Sequence, residues 1–417
     1  MGETPRPWSL ERPTSEHTLR SCTSGRNPEL QSTPNFCAAP AVSRLEEFDI
    51  LVVGSGPAGA AAACYAAERG LSVALLTREK VPGKPVICGE FIPAIDWAHE
   101  IIPSDLSWIL EYTYGPVEEP GVKLNDIEAI EVRLGLSRRI RLEFPSLVID
   151  KEKLIRTWVR RAQKLGAEVF VRHTLIHLSQ SQNSITARFR SEGRSVELRG
   201  GWLIAADGTM STAARLTGIG RYAEIALAIN QRFRGVDYPK DRLLMWVDPS
   251  IAPRGYAWII PRGAEEANVG LGHPVPAGVR TLDLFKRVLS SLPELRNSTP
   301  SSELMGKFLP VCGLRRSVQV GRVLLAGDSA GTCIPSNGGG INTAMISGVL
   351  AVDAIARECG ETYGKSLRKA LGALLTRGLR YRRVADLLMI TIGTWRLAAR
   401  VLPTWLVKRG ITATSLF

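Results

Sequence analysis

The chain has 417 residues, 45% of them hydrophobic, and a formal net charge of +13. This length allows two or three domains with a sizeable core. The seven cysteines are odd in number, scattered and free of any C-x-x-C pair, which excludes a disulfide scaffold and predicts a reducing, cytoplasmic setting. Neither cysteines nor histidines show the spacing of metal ligands, so no metal is expected.

The N-terminal stretch, residues 1–46, is rich in Pro, Ser, Thr and Arg and has no sustained apolar run. It also lacks the hydrophobic region of a secretory signal. We expect a disordered extension without chemistry of its own.

A strand, a glycine-rich turn, a helix and a second strand are predicted next, at Ile50–Val53, Gly54–Gly59, Ala60–Arg69 and Leu71–Leu76. In a dinucleotide-binding turn Gly54 allows the tight bend, Gly56 lets the backbone approach a pyrophosphate, and Gly59 brings the helix close to the strand. The anion would lie on the free N–H groups of the helix N-terminus. A glycine turn in an ordinary α/β protein is the alternative, which the strand–turn–helix–strand context disfavours.

The end of the second strand departs from this pattern. An acidic residue that binds ribose is expected there, and the chain has Thr77-Arg78-Glu79 instead. Two possibilities remain open: Thr77 bonds the hydroxyl, or Glu79 turns inward.

The middle of the chain is predicted to contain a loop at Cys88-Gly89-Glu90, a helix at Lys151–Leu165 and then alternating strands. These strands are Ala167–Val171, Ser184–Phe189 and Ser195–Ala205. Residues 221–310 are richer in strand signals, at Ala226–Phe233, Arg242–Val247, Ala257–Ile260 and Asn268–Gly272. They predict a mostly antiparallel sheet that covers the reactive face of the cofactor.

A second glycine-rich stretch follows the strand Val323–Ala326. Asp328 ends this strand, and Gly338–Gly340 opens a long apolar helix at Ile341–Ala356. The carboxylate can accept bonds from the polyol of FAD, while the bare N–H groups and the helix dipole face the pyrimidine edge of the flavin. A surface loop that caps a core helix is the alternative for this stretch alone.

The tail from Arg357 to Phe417 holds twelve Lys and Arg against three acidic residues. Its apolar span, Leu387–Val407, contains two tryptophans but is interrupted by Arg396, Arg400 and Pro403. Such a span favours a helix in the membrane interface over one that crosses, with Trp395 and Trp405 at headgroup level. A basic helical cap on the core is the alternative, and nucleic acid is disfavoured because no binding motif is present.

The chain resembles the geranylgeranyl reductase family of the p-hydroxybenzoate hydroxylase-like flavoproteins over about residues 47–360. The residues that carry the resemblance are the two glycine-rich stretches, Ala206-Asp207-Gly208 with Ser211 and Arg215, Pro85–Glu90, Gly255–Pro261, Ala267–Gly272 and Pro335–Ile341. The family implies an α/β fold in which a Rossmann-type FAD-binding domain is interleaved with a mostly antiparallel β substrate domain, followed by C-terminal helices.

The residues expected to bind FAD are Gly54, Gly56, Ala58, Gly59, Thr77, Cys88, Gly89, Lys151, Asp207, Asp328, Gly339, Gly340 and Ile341. The resemblance implies six of these contacts, at Gly59, Cys88, Gly89, Asp328, Gly340 and Ile341, with Ala58 beside the first turn. Three positions depart from the family: Thr77 replaces the acidic residue, Lys151 replaces an arginine, and Ile260 replaces a phenylalanine before Pro261.

The expected domains are an FAD-binding domain at 47–220 with a return segment at 311–360, a substrate domain at 221–310, and basic helices at 361–417. They follow the N-terminal extension.

The expected activity is an FAD-dependent reduction of C=C bonds in geranylgeranyl chains of a digeranylgeranylglycerophospholipid-type membrane lipid. The expected location is cytoplasmic and peripheral on the membrane. With no second complete nucleotide turn, the reductant is either NAD(P)H on a transient visit or a ferredoxin-type carrier.

A related monooxygenase or halogenase is the alternative, because Tyr256-x-Trp258-x-Ile260-Pro261 is close to a halogenase segment. The absence of a lysine in the first βα segment argues against it. A non-catalytic flavin-binding protein would leave Asp328 and its glycines without a purpose.

Four residues are predicted near the reaction. Cys88 is either a proton donor or, as we favour, a packing contact of the flavin. Glu90 either takes part in proton transfer or holds its loop through a backbone bond. Tyr256 and Trp258 alternate along one strand and share a face, which lines either a prenyl channel or ordinary sheet core.

Overall fold

The computed structural model describes residues 46–136, 138–275 and 278–414. The predicted N-terminal extension therefore lies outside the described residues, apart from Glu46. Strands lie at Glu46–Val53 (β1), Val73–Leu76 (β2), Phe91–Pro93 (β3), Lys123–Leu134 (β4), Arg138–Ile149 (β5), Glu168–Phe170 (β6), Thr174–Gln180 (β7), Ile185–Ser191 (β8), Arg194–Ala205 (β9), Ile225–Arg234 (β10), Arg242–Val247 (β11), Tyr256–Pro261 (β12), Glu266–Val275 (β13), Thr299–Pro300 (β14), Met305–Pro310 (β15), Gln319–Val320 (β16) and Val323–Leu325 (β17). Helices lie at Pro57–Glu68 (α1), Ile95–His99 (α2), Ser107–Tyr114 (α3), Lys151–Lys164 (α4), Thr212–Leu216 (α5), Thr281–Ser291 (α6), Ile341–Ala356 (α7), Tyr363–Leu388 (α8), Ile392–Val401 (α9) and Thr404–Thr412 (α10).

The first sheet has the order β16-β17-β9-β1-β2-β6, and β7 and β8 extend it beside β9. Strand β1 runs parallel to both β2 and β9, and β17 runs parallel to β9. The segment Ile50–Val53 and all of β2 are buried, as expected for strands covered on both faces. The carboxyl ends of β1, β9 and β17 consequently lie together at one edge, where parallel α/β sheets bind ligands.

Helix α1 packs against α7 at unusually short range. The run Ala58–Ala67 is buried and seven of its ten residues are alanine, so the two backbones can approach closely. A Cβ on Gly348 of α7 would lie only 2.2 Å from the carbonyl oxygen of Ala58. This approach places the middle of α7 beside the N-terminus of α1.

The second sheet has the order β14-β10-β13-β12-β11-β4-β5-β3, and β15 pairs with β10. Its pairs are antiparallel except for β11 with β4. The predicted α/β fold with a mostly antiparallel second sheet is confirmed.

The long hairpin of β4 and β5 is a finding that our sequence analysis missed. Residues 123–149 fell inside the predicted first domain, yet their strands pair within the second sheet. The alternation of buried and exposed residues along β5 is the signal that identifies such a strand.

Helices α9 and α10 cover one end of the second sheet, whereas the buried side chains in the first half of α8 pack in the core of the first sheet. Trp395 is buried in the core that this sheet forms with α9, which corrects its expected position at lipid headgroups. Trp405 remains 53% exposed. Within the described ranges, we find no helix whose length and apolar character would let it span a bilayer.

The close packing of α1 on α7 makes a stability prediction. Gly348→Ala should destabilise the protein by about 1–3 kcal/mol, because the new methyl group meets the Ala58 backbone and the helices must separate. The matched control is Gly372→Ala in α8, where the nearest atom to a new Cβ is 3.7 Å away. That change should stabilise by up to about 1 kcal/mol, since alanine is the better helix former. Thermal unfolding of both variants measures the difference, and equal melting temperatures would contradict the packing argument.

Candidate active site

The glycine turn after β1 has the geometry of a nucleotide cradle. Gly54 has φ +103°, and a Cβ there would lie 2.3 Å from the Ala206 carbonyl oxygen. A Cβ on Gly59 would lie 1.8 Å from the carbonyl oxygen of Gly54. Gly56 instead faces open space, because nothing lies within 4 Å of its Cβ position. Gly56 and Ala58 line the main cavity, so the N-terminus of α1 is open to a ligand.

The end of β2 carries a chain of hydrogen bonds that joins Ser55, Thr77 and Glu79. The Ser55 hydroxyl donates to Thr77 Oγ1 at 2.9 Å, and Thr77 in turn donates to the carboxylate of Glu79. Burial acts to raise the pKa of Glu79, but the hydrogen bonds from Thr77 and Arg78 outweigh it and lower that pKa. The ionised carboxylate of Glu79 therefore lies near the position expected for the ribose-binding acidic residue, two residues later in the sequence than in the usual pattern. Thr77 itself is buried and does not line the main cavity.

Asp207 follows β9 and serves the short helix α5. Its Oδ2 accepts from the Ala213 N–H at 3.1 Å, while its buried Oδ1 has no hydrogen-bond partner among the described residues. Burial raises the pKa of this carboxyl group. Asp207 thus lies beside the cradle, where it holds the start of α5.

The second glycine stretch forms the opposite wall. Asp328 lies directly after β17, and its carboxylate accepts from Lys307 Nζ at 2.8 Å. Asp328 raises the pKa of Lys307 through this charge interaction. Gly340 caps α7, and its Cβ position lies 3.7 Å from Asp328 Oδ1. Gly339 is held by the Asn337 side chain, whose Oδ1 accepts from the Gly339 N–H at 2.8 Å.

The loop Cys88-Gly89-Glu90 is anchored by a buried carboxylate. Glu90 has no exposed surface and adopts a left-handed backbone with φ 60°, a conformation that costs free energy in a non-glycine residue. Its Oε1 accepts from the Lys151 backbone N–H at 3.1 Å, and its Oε2 accepts from Arg232 at 3.1 Å. Arg262 forms a further ion pair with the same carboxylate. Of the two roles left open for Glu90, this geometry matches the one that holds the loop.

Lys151 stands at the start of α4, which Asp150 caps by accepting from the Lys153 N–H. Its side chain is buried, lines the cavity, and has a pKa that burial lowers. The amino group is therefore well placed toward a bound cofactor.

Asn268 joins the same loop to the wall of the cavity, a role that our sequence analysis did not assign. Its Nδ2 donates to the Cys88 carbonyl at 3.0 Å, and its Oδ1 accepts from the Trp258 indole at 2.8 Å. The Trp258 ring lies over its cross-strand partner Gly270, where a Cβ would be 2.3 Å from the ring. A buried asparagine next to an aromatic strand was the only sequence signal for this contact.

Tyr256 and Trp258 both line the cavity, as a shared strand face requires. Their ring centroids are 5.8 Å apart. The Tyr256 hydroxyl donates to the Asn337 carbonyl, so this strand is tied to the second glycine stretch.

The cavity has a volume of about 440 Å³ and passes from the cradle to the underside of α9 and α10. Most predicted site residues border it: Gly56, Ala58, Cys88, Gly89, Glu90, Lys151, Tyr256, Trp258, Asp328, Gly339, Gly340 and Ile341. The others, Gly54, Gly59, Thr77 and Asp207, stand behind its wall. Away from the cradle the lining is apolar, with side chains such as Val132, Leu134, Phe144 and Met245.

FAD fits the polar end of this cavity on two observations. The Gly56 backbone is open to the cavity, and Asp328 lines it beside the N-terminus of α7. Among the described residues, no cluster of His, Cys, Asp and Glu is arranged to hold a metal ion.

Family models match three parts of the chain. The geranylgeranyl reductase catalytic domain matches residues 224–290, the FAD binding domain matches 312–370, and the pyridine nucleotide-disulphide oxidoreductase model matches 48–239.

Curated relatives extend the similarity to most of the chain. Digeranylgeranylglycerophospholipid reductase 1 of Methanopyrus kandleri is 32% identical over 320 residues, which cover 74% of this chain and 81% of the relative. Digeranylgeranylglycerophospholipid reductase of Methanosphaerula palustris is 32% identical over 336 residues, which cover 78% and 80%.

Solved structures share the fold. A geranylgeranyl bacteriochlorophyll reductase-like protein of Thermoplasma acidophilum has a TM-score of 0.71 at 23% identity and covers 88% of this chain and 99% of its own. A flavin-dependent brominase has a TM-score of 0.66 at 17% identity and covers 89% and 96%. At these identities the likeness concerns the fold alone, whereas the matches above show descent: the chain belongs to the geranylgeranyl reductase family of FAD-dependent oxidoreductases.

Proposed function

We propose that this protein saturates C=C bonds in the geranylgeranyl chains of a membrane phospholipid, with FAD as its cofactor. The observation that carries the proposal is the cavity, which joins a nucleotide cradle to an apolar tunnel beside Trp258. Such a tunnel suits a prenyl chain, because the stretch beside Trp258 is lined by apolar side chains such as Val132, Leu134 and Phe144. The names of the curated relatives support a digeranylgeranylglycerophospholipid-type substrate.

FAD supplies the hydride when it is bound. The residues of the chain have the remaining tasks. Gly56 and the N-terminus of α1 would hold the pyrophosphate, and Asp328 the polyol. Lys307 orients the Asp328 carboxylate, and the buried amino group of Lys151 would donate a hydrogen bond to the cofactor.

An isolated alkene is a poor hydride acceptor, so positioning and proton delivery must lower the barrier. Tyr256 and Trp258 form rigid walls that restrict the chain, and burial of the cavity excludes water. The Cys88 thiol lines the same space, where it either packs against the cofactor or gives up a proton.

The sequence has no second complete nucleotide turn, so the reductant would bind only transiently. NAD(P)H and a ferredoxin-type protein are both compatible with this proposal. The basic tail further supports a peripheral position on the membrane.

The activity itself can be tested in one anaerobic experiment. The FAD-loaded protein is reduced with dithionite and mixed with a geranylgeranyl phospholipid in detergent. We expect the flavin to reoxidise and the lipid to gain a pair of hydrogen atoms for each bond reduced, as read by absorbance and mass spectrometry. A saturated phospholipid is the control. Failure to reoxidise, or turnover of an aromatic compound only when oxygen is present, would refute the proposal.

The role of Cys88 is tested by Cys88→Ala. We expect packing to be its role, so reoxidation by lipid should slow by less than about tenfold, whereas loss of a proton donor costs about 10²–10⁴-fold. Buried Cys333, which also lines the cavity, provides the matched Cys333→Ala control. A larger loss in Cys88→Ala with normal FAD affinity would show that the thiol donates the proton.

Asn268 should position Trp258 and the Cys88 loop together. Asn268→Ala removes both hydrogen bonds and should raise the KM for the prenyl lipid about tenfold. The reason is that the buried Cys88 carbonyl and the Trp258 indole are left unpaired. Asn268→Asp keeps the acceptor for the indole but loses the donor to the Cys88 carbonyl, so tryptophan fluorescence should change only in the alanine variant. The exposed Asn297→Ala is the control. Unchanged KM and fluorescence in Asn268→Ala would contradict this role.

A further inference from the structure

The outer face of the C-terminal helices is the most apolar exposed surface that the structure describes. Seven of the fifteen large apolar side chains that are exposed in the described ranges fall within residues 384–405. They are Val384, Leu387, Ile390, Ile392, Leu397, Val401 and Trp405. We call this set the tail surface. Leu397 and Val401 are 66% and 69% exposed and stand four residues apart on one side of α9.

Positive charge is interleaved with these apolar side chains. Arg383, Arg396 and Arg400 are exposed, and Asp386 is the one acidic residue in the sequence between them. Asp386 is already paired with Arg254 and lies 3.6 Å from Arg382. The exposed arginines therefore carry charge that no acidic residue of the tail offsets, so the tail surface complements an anionic partner.

The inner face of the same helices lines the cavity of the active site. This face presents Trp395, Leu402, Leu406, Val407 and Ile411. The break between α9 and α10 is held by Arg138, which donates to the carbonyls of Ala399 and Leu402. Leu136, which lies two residues before Arg138 in the chain, is 92% exposed. A single helical layer thus separates the apolar tunnel from most of the tail surface, and Val384 borders both.

We infer that the tail surface docks this protein on an anionic lipid bilayer, so that a prenyl lipid enters the tunnel from the bilayer through the layer of α9 and α10. This inference rests on the proposed function, because an insoluble substrate must reach the tunnel without crossing water. Apolar side chains that reach the acyl boundary, arginines at the phosphates and Trp405 at headgroup level match the known pattern of interfacial helices. An acidic protein partner would account for the positive charge of the tail surface, and a second copy of the chain would account for its apolar area. Neither partner explains why a tunnel lies beneath this surface.

The test uses the full chain with vesicles of phosphatidylcholine alone or mixed with phosphatidylglycerol. Leu397→Glu/Val401→Glu should lower the affinity for mixed vesicles at least about tenfold. The reason is that withdrawing a single apolar side chain of this size from lipid already weakens the binding constant by more than about tenfold. Leu165→Glu is the matched control, since Leu165 is 50% exposed at the end of α4 and should leave binding unchanged. Arg396→Gln/Arg400→Gln should lower binding to the mixed vesicles about fivefold for each charge removed. Circular dichroism checks that the variants fold.

Activity assays separate this inference from the proposed function. Leu397→Glu/Val401→Glu should reduce lipid in detergent at the wild-type rate and fail with vesicle-embedded lipid. Equal vesicle binding by this variant and the wild type would overturn the docking surface. So would a wild-type dimer in analytical ultracentrifugation that the same substitutions dissociate. Loss of activity in detergent by the wild type would refute the proposed function, while vesicle binding would still decide the docking surface.

Discussion

The carboxylate of Glu90 is the interaction on which the arrangement of the active site depends. It is fully buried, and a buried charge persists only when cations and N–H donors surround it. Arg232 and Arg262 come from the second sheet, whereas the Lys151 N–H comes from the helix that covers the first. One side chain therefore joins both halves of the protein at the loop that faces the cofactor. The left-handed backbone of Glu90 is kept because so many partners hold it.

A second set of contacts turns this joint into a cavity with fixed walls. Asn268 bonds both the Cys88 carbonyl and the Trp258 indole, and Tyr256 bonds the glycine stretch that opens α7. The cofactor loop, the aromatic strand and the second glycine stretch are thus held by one connected group of hydrogen bonds. Rigid placement of this kind is what hydride transfer to an unactivated alkene requires.

Much of this protein could be predicted from its sequence, because local patterns determine local structure. The bounds of α7 agree with prediction to the residue, and the glycine turn after β1 has the predicted shape. The hairpin of β4 and β5 was overlooked although its alternation is a local signal, whereas its place in the second sheet depends on the distant pairing of β4 with β11, in which Ala129 lies opposite Arg242. Trp395 was misplaced since its burial depends on a sheet that no local pattern reveals. The roles of Asn268 and Glu90 depend on contacts between distant segments, which sequence alone does not display.

The packing of Trp258 on Gly270 also has a consequence for how such proteins diverge. Because any side chain at position 270 would occupy the space of the indole, the residue at position 258 limits which residue position 270 can hold. A lineage that keeps the indole must keep the glycine, and a lineage that gains a side chain at 270 must first give up the large ring. The converse does not hold, because loss of the ring would still leave a new Cβ at position 270 only 2.5 Å from the Ile229 carbonyl oxygen, so the tunnel can widen at position 258 while the glycine stays fixed.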